Sequence, residues 1–307
     1  SYWTPIRDSK RSCQARAKKN VWDENLKQLV AIRFIEQFRL PRKKGKGRFL
    51  LESKFEFAKE LVNKAGQYIL DHMQEDLCVE TKSSPTDLVT RLDKEVQELL
   101  VSEILSRYPE DKICAEEGCL RASVKEGKVW VIDPIDGTNN FVAQQEDFAV
   151  MMAYFENGQG QFGLIYDVVK GDCYHGGGEF PVCLNDRPLA PFKAKPLGDF
   201  LIAGNSGMLE TNEWGLADLG RAVLGVRVYG SAAISFAKIL SGRLLTYVTY
   251  LQPWDYAAAS ILGESLGYRV VTLSGQPLDF QTRQPVMMLP LEMQEEIQSY
   301  IYERKRT

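Results

Sequence analysis

An α+β fold, with helices packed on largely antiparallel sheets, is what the sequence predicts, and three observations predict it. Between Glu52 and Met73 the apolar residues Phe55, Ala58, Leu61, Val62, Ala65, Ile69 and Leu70 recur at three- and four-residue steps, the pattern of an amphipathic helix. From Phe148 to Tyr174, β-type runs are cut by Asn157-Gly158-Gln159-Gly160 and by Lys170-Gly171-Asp172, a hairpin pattern. The second half then alternates strand-like and helix-like segments. Mixed helices and antiparallel strands in layers fit α+β better than a doubly wound sheet.

The elements follow in order. After the first helix comes a loop, Thr81–Thr86, and a second helix from near Thr90 to Arg107, carried by Val96, Leu99, Leu100, Ile104 and Leu105 and stopped by Pro109. Short strands are expected at Ile113–Ala115 and Val129–Ile132. In the second half, Phe200–Ala203, Val226–Tyr229 and Leu244–Tyr250 read as strands, with Ser231–Leu240 and an Ala-rich Asp255–Leu266 as helices. Gly267 suits the C-terminal end of the latter. Arg269–Thr272 and Pro285–Met288 read as further strands, and Glu292–Arg304 as a closing helix.

The 307 residues are 44% hydrophobic and 26% charged, an ordinary globular composition that excludes collagen-like and mostly disordered classes. No apolar run approaches the ~20 residues of a membrane span, and no signal-peptide pattern opens the chain. Six scattered cysteines without a C-x-x-C pair read as reduced thiols in a cytoplasmic protein, and two histidines make His-based metal chemistry a poor fit. Catalysis is therefore expected to run on carboxylates.

The net charge of −3 conceals an asymmetry: residues 1–50 carry 14 basic against 4 acidic side chains, and the remainder is −13. This separates a basic N-terminal extension (1–50) from an acidic body (51–307). The extension includes the run Arg42–Arg48 and, at roughly helical spacing, Trp22, Leu26, Leu29, Val30, Phe34 and Phe38. A partly helical, packed or solvated extension is the favoured reading; an arm binding nucleic acid or an anionic surface is the alternative. The first methionine is Met73, so the natural start is expected to lie upstream of Ser1 or not to be a retained Met, with some of this segment an added sequence.

The chemistry centres on Trp130-Val131-Ile132-Asp133-Pro134-Ile135-Asp136-Gly137-Thr138-Asn139-Asn140-Phe141. An apolar strand runs into two aspartates three residues apart, Pro134 restricts the turn, and Gly137 with Thr138-Asn139 can open a helix. Carboxylates beside helix N–H groups suit a hard cation and a phosphate together. The same residues are also good turn chemistry. Two further acidic sites tip the balance: Glu116-Glu117 after a short strand, and Asp255 at a helix start, in Pro253-Trp254-Asp255.

Together with Asp87-Leu88-Val89-Thr90 and Asp93, Gly230-Ser231-Ala232-Ala233 and Trp254-Asp255-Tyr256-Ala257-Ala258-Ala259, these motifs, in this order, resemble the inositol monophosphatase family of Mg²⁺-dependent, often lithium-sensitive phosphatases, over roughly residues 52–305. The resemblance implies a layered α/β/α/β/α sandwich, of the type shared with fructose-1,6-bisphosphatase, with a metal-site half (51–190) and a second half (191–307). It implies one Mg²⁺ on Glu116, Asp133 and the Ile135 carbonyl, and a second on Asp133, Asp136 and Asp255. A third, weaker ion would lie near Glu116. A Thr–Asp pair, taken as Thr138 and Asp87, would orient the attacking water. Asp136, Gly137, Thr138, Gly230, Ser231 and Ala232 would contact substrate. A homodimer is implied as well.

The function expected is hydrolysis of a small phosphorylated polyol, inositol-1-phosphate first. A sugar bisphosphatase (fructose-1,6-bisphosphate), a nucleotide 3′-phosphatase and an NADP phosphatase are alternatives within the same chemistry. An RNA- or partner-binding regulatory protein using the basic arm is the alternative from another class. Inositol-selective members of the family place a glutamate seven residues before the Trp-Asp aspartate; here that position is Val248. His175 and its glycines read as a hairpin turn, His72 as a surface residue, Cys114 and Cys119 as incidental thiols, and Glu117 as solvated or supporting.

Overall fold

The computed structural model describes residues 45–302. The apolar periodicity of residues 22–38, most of the basic extension and the last residues of the expected closing helix lie outside the described residues.

Five layers stack. The first contains α1 (Lys46–His72) and α2 (Arg91–Arg107). They pack on one face of a seven-stranded sheet, ordered β3 (Lys112–Ala115), β4 (Lys128–Asp136), β5 (Ala149–Glu156), β6 (Gln159–Asp167), β7 (Asp172–Gly177), β8 (Phe180–Leu184), β9 (Arg187–Pro188). All its neighbours are antiparallel except β3 and β4. Its other face meets α6 (Ala232–Leu240) and α7 (Pro253–Glu264), which form the middle layer. The fourth layer is a mixed five-stranded sheet, ordered β11 (Gly225–Arg227), β10 (Leu201–Gly204), β12 (Tyr247–Leu251), β14 (Gln284–Pro290), β13 (Tyr268–Thr272). Short helices α4 (Ser206–Thr211), α5 (Leu216–Ala222) and α8 (Gln294–Gln298) cover its far side. A two-residue hairpin, β1 (Glu80–Thr81) with β2 (Leu88–Val89), precedes α2, and α3 (Thr138–Gln144) follows β4.

The expected helices and strands are therefore present, with shifted ends. The first helix starts at Lys46, six residues early, and the Ala-rich helix expected from Asp255 starts at Pro253, whose fixed φ suits a first turn. The segment Leu244–Thr246 is not strand; β12 begins only at Tyr247. The closing helix is much shorter than its expected span: a 3₁₀ turn at Leu291–Met293 leads into α8, which ends at Gln298, and Tyr302 N then bonds to Trp214 O (3.2 Å). That backbone bond draws the chain out of helical register.

Three apolar cores match the layers: α1 and α2 against the large sheet, α6 and α7 between the sheets, and α4, α5 and α8 against the small sheet. Beneath the large sheet, Lys54 is fully buried in an ion pair with Asp111, which also accepts from Trp130 Nε1 (2.8 Å), while Lys54 Nζ donates to Tyr154 Oη (2.9 Å). A buried cation is tolerable only when paired and hydrogen-bonded in this way. The network braces β4, the strand that carries the acidic motif. Among the described residues, no helix is long and apolar enough to cross a membrane.

Candidate active site

β4 runs straight through the acidic motif, and its register with β5 slips between Asp133 and Asp136. In a regular strand, residues three apart point to opposite faces. Pro134 has no N–H to give the ladder, and a bulge there adds one residue to β4. The change of phase is visible in the packing. Val129 and Val131 face the middle layer and Trp130 and Ile132 the outer helices, yet Ile135 joins the outer side. Asp136 is thereby turned to the same side as Asp133, toward α6 and α7.

Asp255 arrives from the facing layer. It is the third residue of α7, and its carboxylate caps the helix by accepting from Gln252 N (2.8 Å). Carboxylate oxygens of Asp133, Asp136 and Asp255 lie within 4.8 Å of one another. Asp133 is 1% exposed, and its Oδ1 is buried with no hydrogen-bond partner. Among the described residues, no lysine or arginine pairs with any of the three. Burial, then the carboxylates of Glu116, Asp136 and Asp255, hold the Asp133 pKa well above the ordinary range. Burial, then Asp136 and Glu116, do the same to Asp255. Burial pushes Asp136 up to about 6, against hydrogen bonds from Ser231 and Ala233 that favour its charge. Such a cluster is costly unless a cation sits in it. An all-oxygen donor set with one orphaned buried oxygen fits a hard divalent ion.

Glu116 stands beside this trio, within reach of Asp133. Its carboxylate accepts from Lys82 Nζ (2.7 Å), and Lys82 also pairs with Glu117. Burial works against the Lys82 charge, but the two glutamates outweigh it and raise its pKa. The Ile135 carbonyl oxygen lies 3.1 Å from Thr138 Oγ1, where it is an alternative acceptor for that hydroxyl's single hydrogen.

Gly137 holds φ at 88°, and a Cβ there would meet Ser231 Cβ at 3.0 Å and Asp147 O at 3.1 Å. A side chain at this turn would therefore pay both the left-handed backbone cost and a collision. Gly230, also left-handed at φ 71°, sits against Asn140, whose Nδ2 donates to Tyr229 O (2.7 Å) and Asp147 O (2.9 Å). Ser231 Oγ, Ala233 N (2.8 Å) and Ala232 N (3.3 Å) all donate to the Asp136 carboxylate. The segment expected at the substrate thus also fixes a candidate metal ligand.

The expected Thr138–Asp87 pair is not made. Thr138 Oγ1 donates instead to Asp93 Oδ1 (3.1 Å). Asp87 sits in the β1–β2 hairpin loop, where its carboxylate accepts from Ser83 N (3.1 Å) and from Ser83 Oγ. Asp93 is fully buried on the first turn of α2, where its Oδ2 accepts from Thr90 N (2.8 Å) and Thr90 Oγ1 (2.5 Å). Burial, opposed by the Thr90 bonds, raises its pKa to about 6. The capping pattern Thr90-x-x-Asp93 was the available signal. Lys82, Gln97 and Arg121, which hold the Glu116 turn, had no comparable signal in the sequence.

Val248 is fully buried in the core on the far side of the small sheet, with Met287 as its β14 partner. Its strand neighbour Tyr247 packs against the middle layer instead. His175 lies within strand β7, paired with Leu164 and Cys183 and with Nε2 2.7 Å from Asn185 O, so it is not part of the expected turn: the β7–β8 turn falls only after Gly177, and the position is far from this chemistry in the sheet order.

A model of the inositol monophosphatase family matches residues 50–306. An inositol-1-monophosphatase of Bacillus subtilis (strain 168) is 41% identical over 238 residues, covering 76% of this chain and 90% of that protein. A fructose-1,6-bisphosphatase/inositol-1-monophosphatase of Thermotoga maritima is 30% identical, covering 73% and 86%. Among solved structures, an IMPase/NADP phosphatase complexed with Mg²⁺ and phosphate superposes with a TM-score of 0.77 at 24% identity, covering 84% of this chain and all of that one.

Proposed function

The chain belongs to the inositol monophosphatase family, and from that premise we propose that it hydrolyses a small phosphorylated polyol, inositol-1-phosphate first, with Mg²⁺ held at Asp133. Phosphomonoester hydrolysis is the activity of the family. The observation that carries the metal-site reading is the buried trio Asp133, Asp136 and Asp255 with its unpartnered Asp133 Oδ1. In this reading Asp133 would help hold two ions, with Glu116 and the Ile135 carbonyl as the other groups for one and Asp136 and Asp255 for the other, and a third, weaker ion would be held near Glu116. Mg²⁺ bound there supplies positive charge for the phosphate dianion and the leaving oxygen, and makes water more acidic.

The protein's own groups do the rest. Thr138 Oγ1 accepts the proton of the attacking water and passes its own to Asp93 Oδ1, so that the carboxylate of the pair gains one proton. The bond from water oxygen to phosphorus forms as the ester P–O bond breaks; the departing alkoxide takes a proton from solvent to leave as alcohol beside phosphate, and Asp93 returns its proton to solvent. N–H groups of Gly137 and Thr138, at the start of α3, face the phosphate in this arrangement. Gly230, Ser231 and Ala232 flank the alcohol, and Ser231 and Ala232 also hold Asp136 in place. Lithium sensitivity, a homodimer and a cytoplasmic location belong to the same reading.

The substrate range is a second reading, favoured by Val248. An apolar side chain buried on the far face of β12 offers no carboxylate to inositol hydroxyls. Sugar bisphosphates, nucleotide phosphates and NADP therefore belong in the test. Phosphate release with Mg²⁺ is measured for inositol-1-phosphate, fructose-1,6-bisphosphate, 3′-phosphoadenosine-5′-phosphate and NADP⁺, with Asp133→Asn as control. Preference for inositol-1-phosphate and loss of at least about 99% of turnover in the variant are expected, since one substitution strips a ligand from both ions. Turnover by Asp133→Asn above about 1% of wild type would sink the metal assignment.

A further inference from the structure

The turn presenting Glu116 is pinned at every backbone polar group of residues 116 and 117. Glu116 N donates to Ile132 O (3.2 Å), and Glu116 O accepts from Arg121 Nη2 (3.1 Å). Glu117 N donates to Gln97 Oε1 (2.8 Å), and Glu117 O accepts from Gln97 Nε2 (2.7 Å). Arg121 Nη1 also donates to Ala115 O. Ile132 and Gln97 belong to the large sheet and its outer helix. Arg121 alone among these clamps touches the facing layer: its guanidinium carbon stands 4.6 Å from the centre of the Trp254 ring. Trp254 immediately precedes Asp255 on the first turn of α7.

One planar cation thus grips the peptide carbonyls on either side of the Glu116 Cα and lies on the ring next to Asp255. We propose that Arg121 is a positioning residue for the metal site, setting the Glu116 turn against α7 so that the carboxylates of Glu116 and Asp255 close on Asp133 from opposite layers. The inference rests on the metal-site reading above. The guanidinium suits the task because its donors form a rigid fork and its face stacks on an aromatic ring, neither of which an ammonium reproduces. Groups that orient metal ligands without touching the ion change affinity by typically about 10- to 100-fold. Arg121 is itself solvent-exposed, so truncating it opens no cavity in a core.

The test uses Mn²⁺ as a paramagnetic probe, titrated into chelator-stripped full-length protein and followed by EPR, for wild type, Arg121→Gln, Arg121→Lys and Asp133→Asn. Both Arg121 variants are expected to weaken Mn²⁺ binding about 10-fold or more. They should raise the Mg²⁺ concentration for half-activation by a similar factor, with the KM for the phosphate ester moved less than about 2-fold and the melting temperature of the metal-free protein unchanged. Wild-type affinity in both variants overturns the proposal. So does recovery in Arg121→Lys alone, which would leave charge rather than geometry as the cause. A fall in the metal-free melting temperature matching the loss of affinity would also overturn it, by reducing Arg121 to a brace of the fold. If wild type itself binds no Mn²⁺, the metal-site reading fails first, and that result is distinct from all three.

Discussion

Asp93→Asn tests the proton path of the site. The carboxylate is fully buried, takes two hydrogen bonds from Thr90 on Oδ2 and one from Thr138 on Oδ1. An amide has one oxygen, and the two Thr90 donors claim it. The amide NH₂ then faces Thr138 Oγ1, whose hydroxyl must turn its hydrogen to the Ile135 carbonyl, 3.1 Å away. The proton can no longer leave Thr138 in the direction catalysis needs. Loss of a positioned base costs about 10²- to 10³-fold in kcat, or about 3–4 kcal/mol of transition-state stabilisation. Stability should change far less. The weakened cap costs about 1 kcal/mol, and removal of a buried charge whose pKa is already raised to about 6 offsets part of it. Phosphate release at saturating Mg²⁺, beside thermal melts, reads both quantities. Asp87→Asn is the matched control: it alters only the Ser83 contacts of the hairpin loop and should keep kcat within about 2-fold. The opposite pattern, with Asp93→Asn active and Asp87→Asn dead, would refute the reasoning outright.

Three other perturbations follow from the same geometry. In the metal-free protein the folded-state pKa values of Asp133, Asp136 and Asp255 are raised, so the native state binds protons that the unfolded chain releases; stability should fall as pH rises above about 4, the Asp136 share being lost through about 6, and Mg²⁺ at neutral pH should restore it, as melting curves with and without chelator will show. Gly137→Ala adds left-handed strain of about 1–2 kcal/mol and a Cβ pressed on Ser231, so the melting temperature should drop and kcat fall about 10-fold or more, a result that wild-type activity in the variant would contradict. Val248→Glu should not create a polyol contact: it buries a carboxylate in the core beyond the small sheet, and urea melts should show a loss of several kcal/mol, whereas a stable variant with improved inositol-1-phosphate KM would place this side chain on the wrong face.

What could be read from the sequence was the identity of the acidic motifs and the helices long enough to show a period. Helices of six or seven residues, such as α4 and α5, fall below the window in which periodicity speaks, and tertiary contacts decide them. The closing helix was over-extended for the same reason, because polar periodicity past Gln298 gives no hint of the bond from Tyr302 to Trp214 that diverts the chain.

At the site itself, the unreadable quantity was parity. Asp133 and Asp136 are visible as a motif, but at a spacing of three a strand would place them on opposite faces, and only the slip at Pro134 brings them together. The same kind of ambiguity misdirected the Thr138 pair. Asp87 and Asp93 belong to one motif six residues apart, and chain order says nothing about which of them turns inward. The helix does: Asp93, at the third position of α2, is drawn in by the Thr90 cap, while Asp87 precedes the helix in an exposed loop. Counting seven residues back from Asp255 reaches Val248, yet that count crosses a helix start and enters β12, where one step changes the face a side chain meets. Residue type and order therefore recover the chemistry of this site, and the faces on which its groups meet are set by a bulge, a cap and a strand phase that residue counting cannot supply.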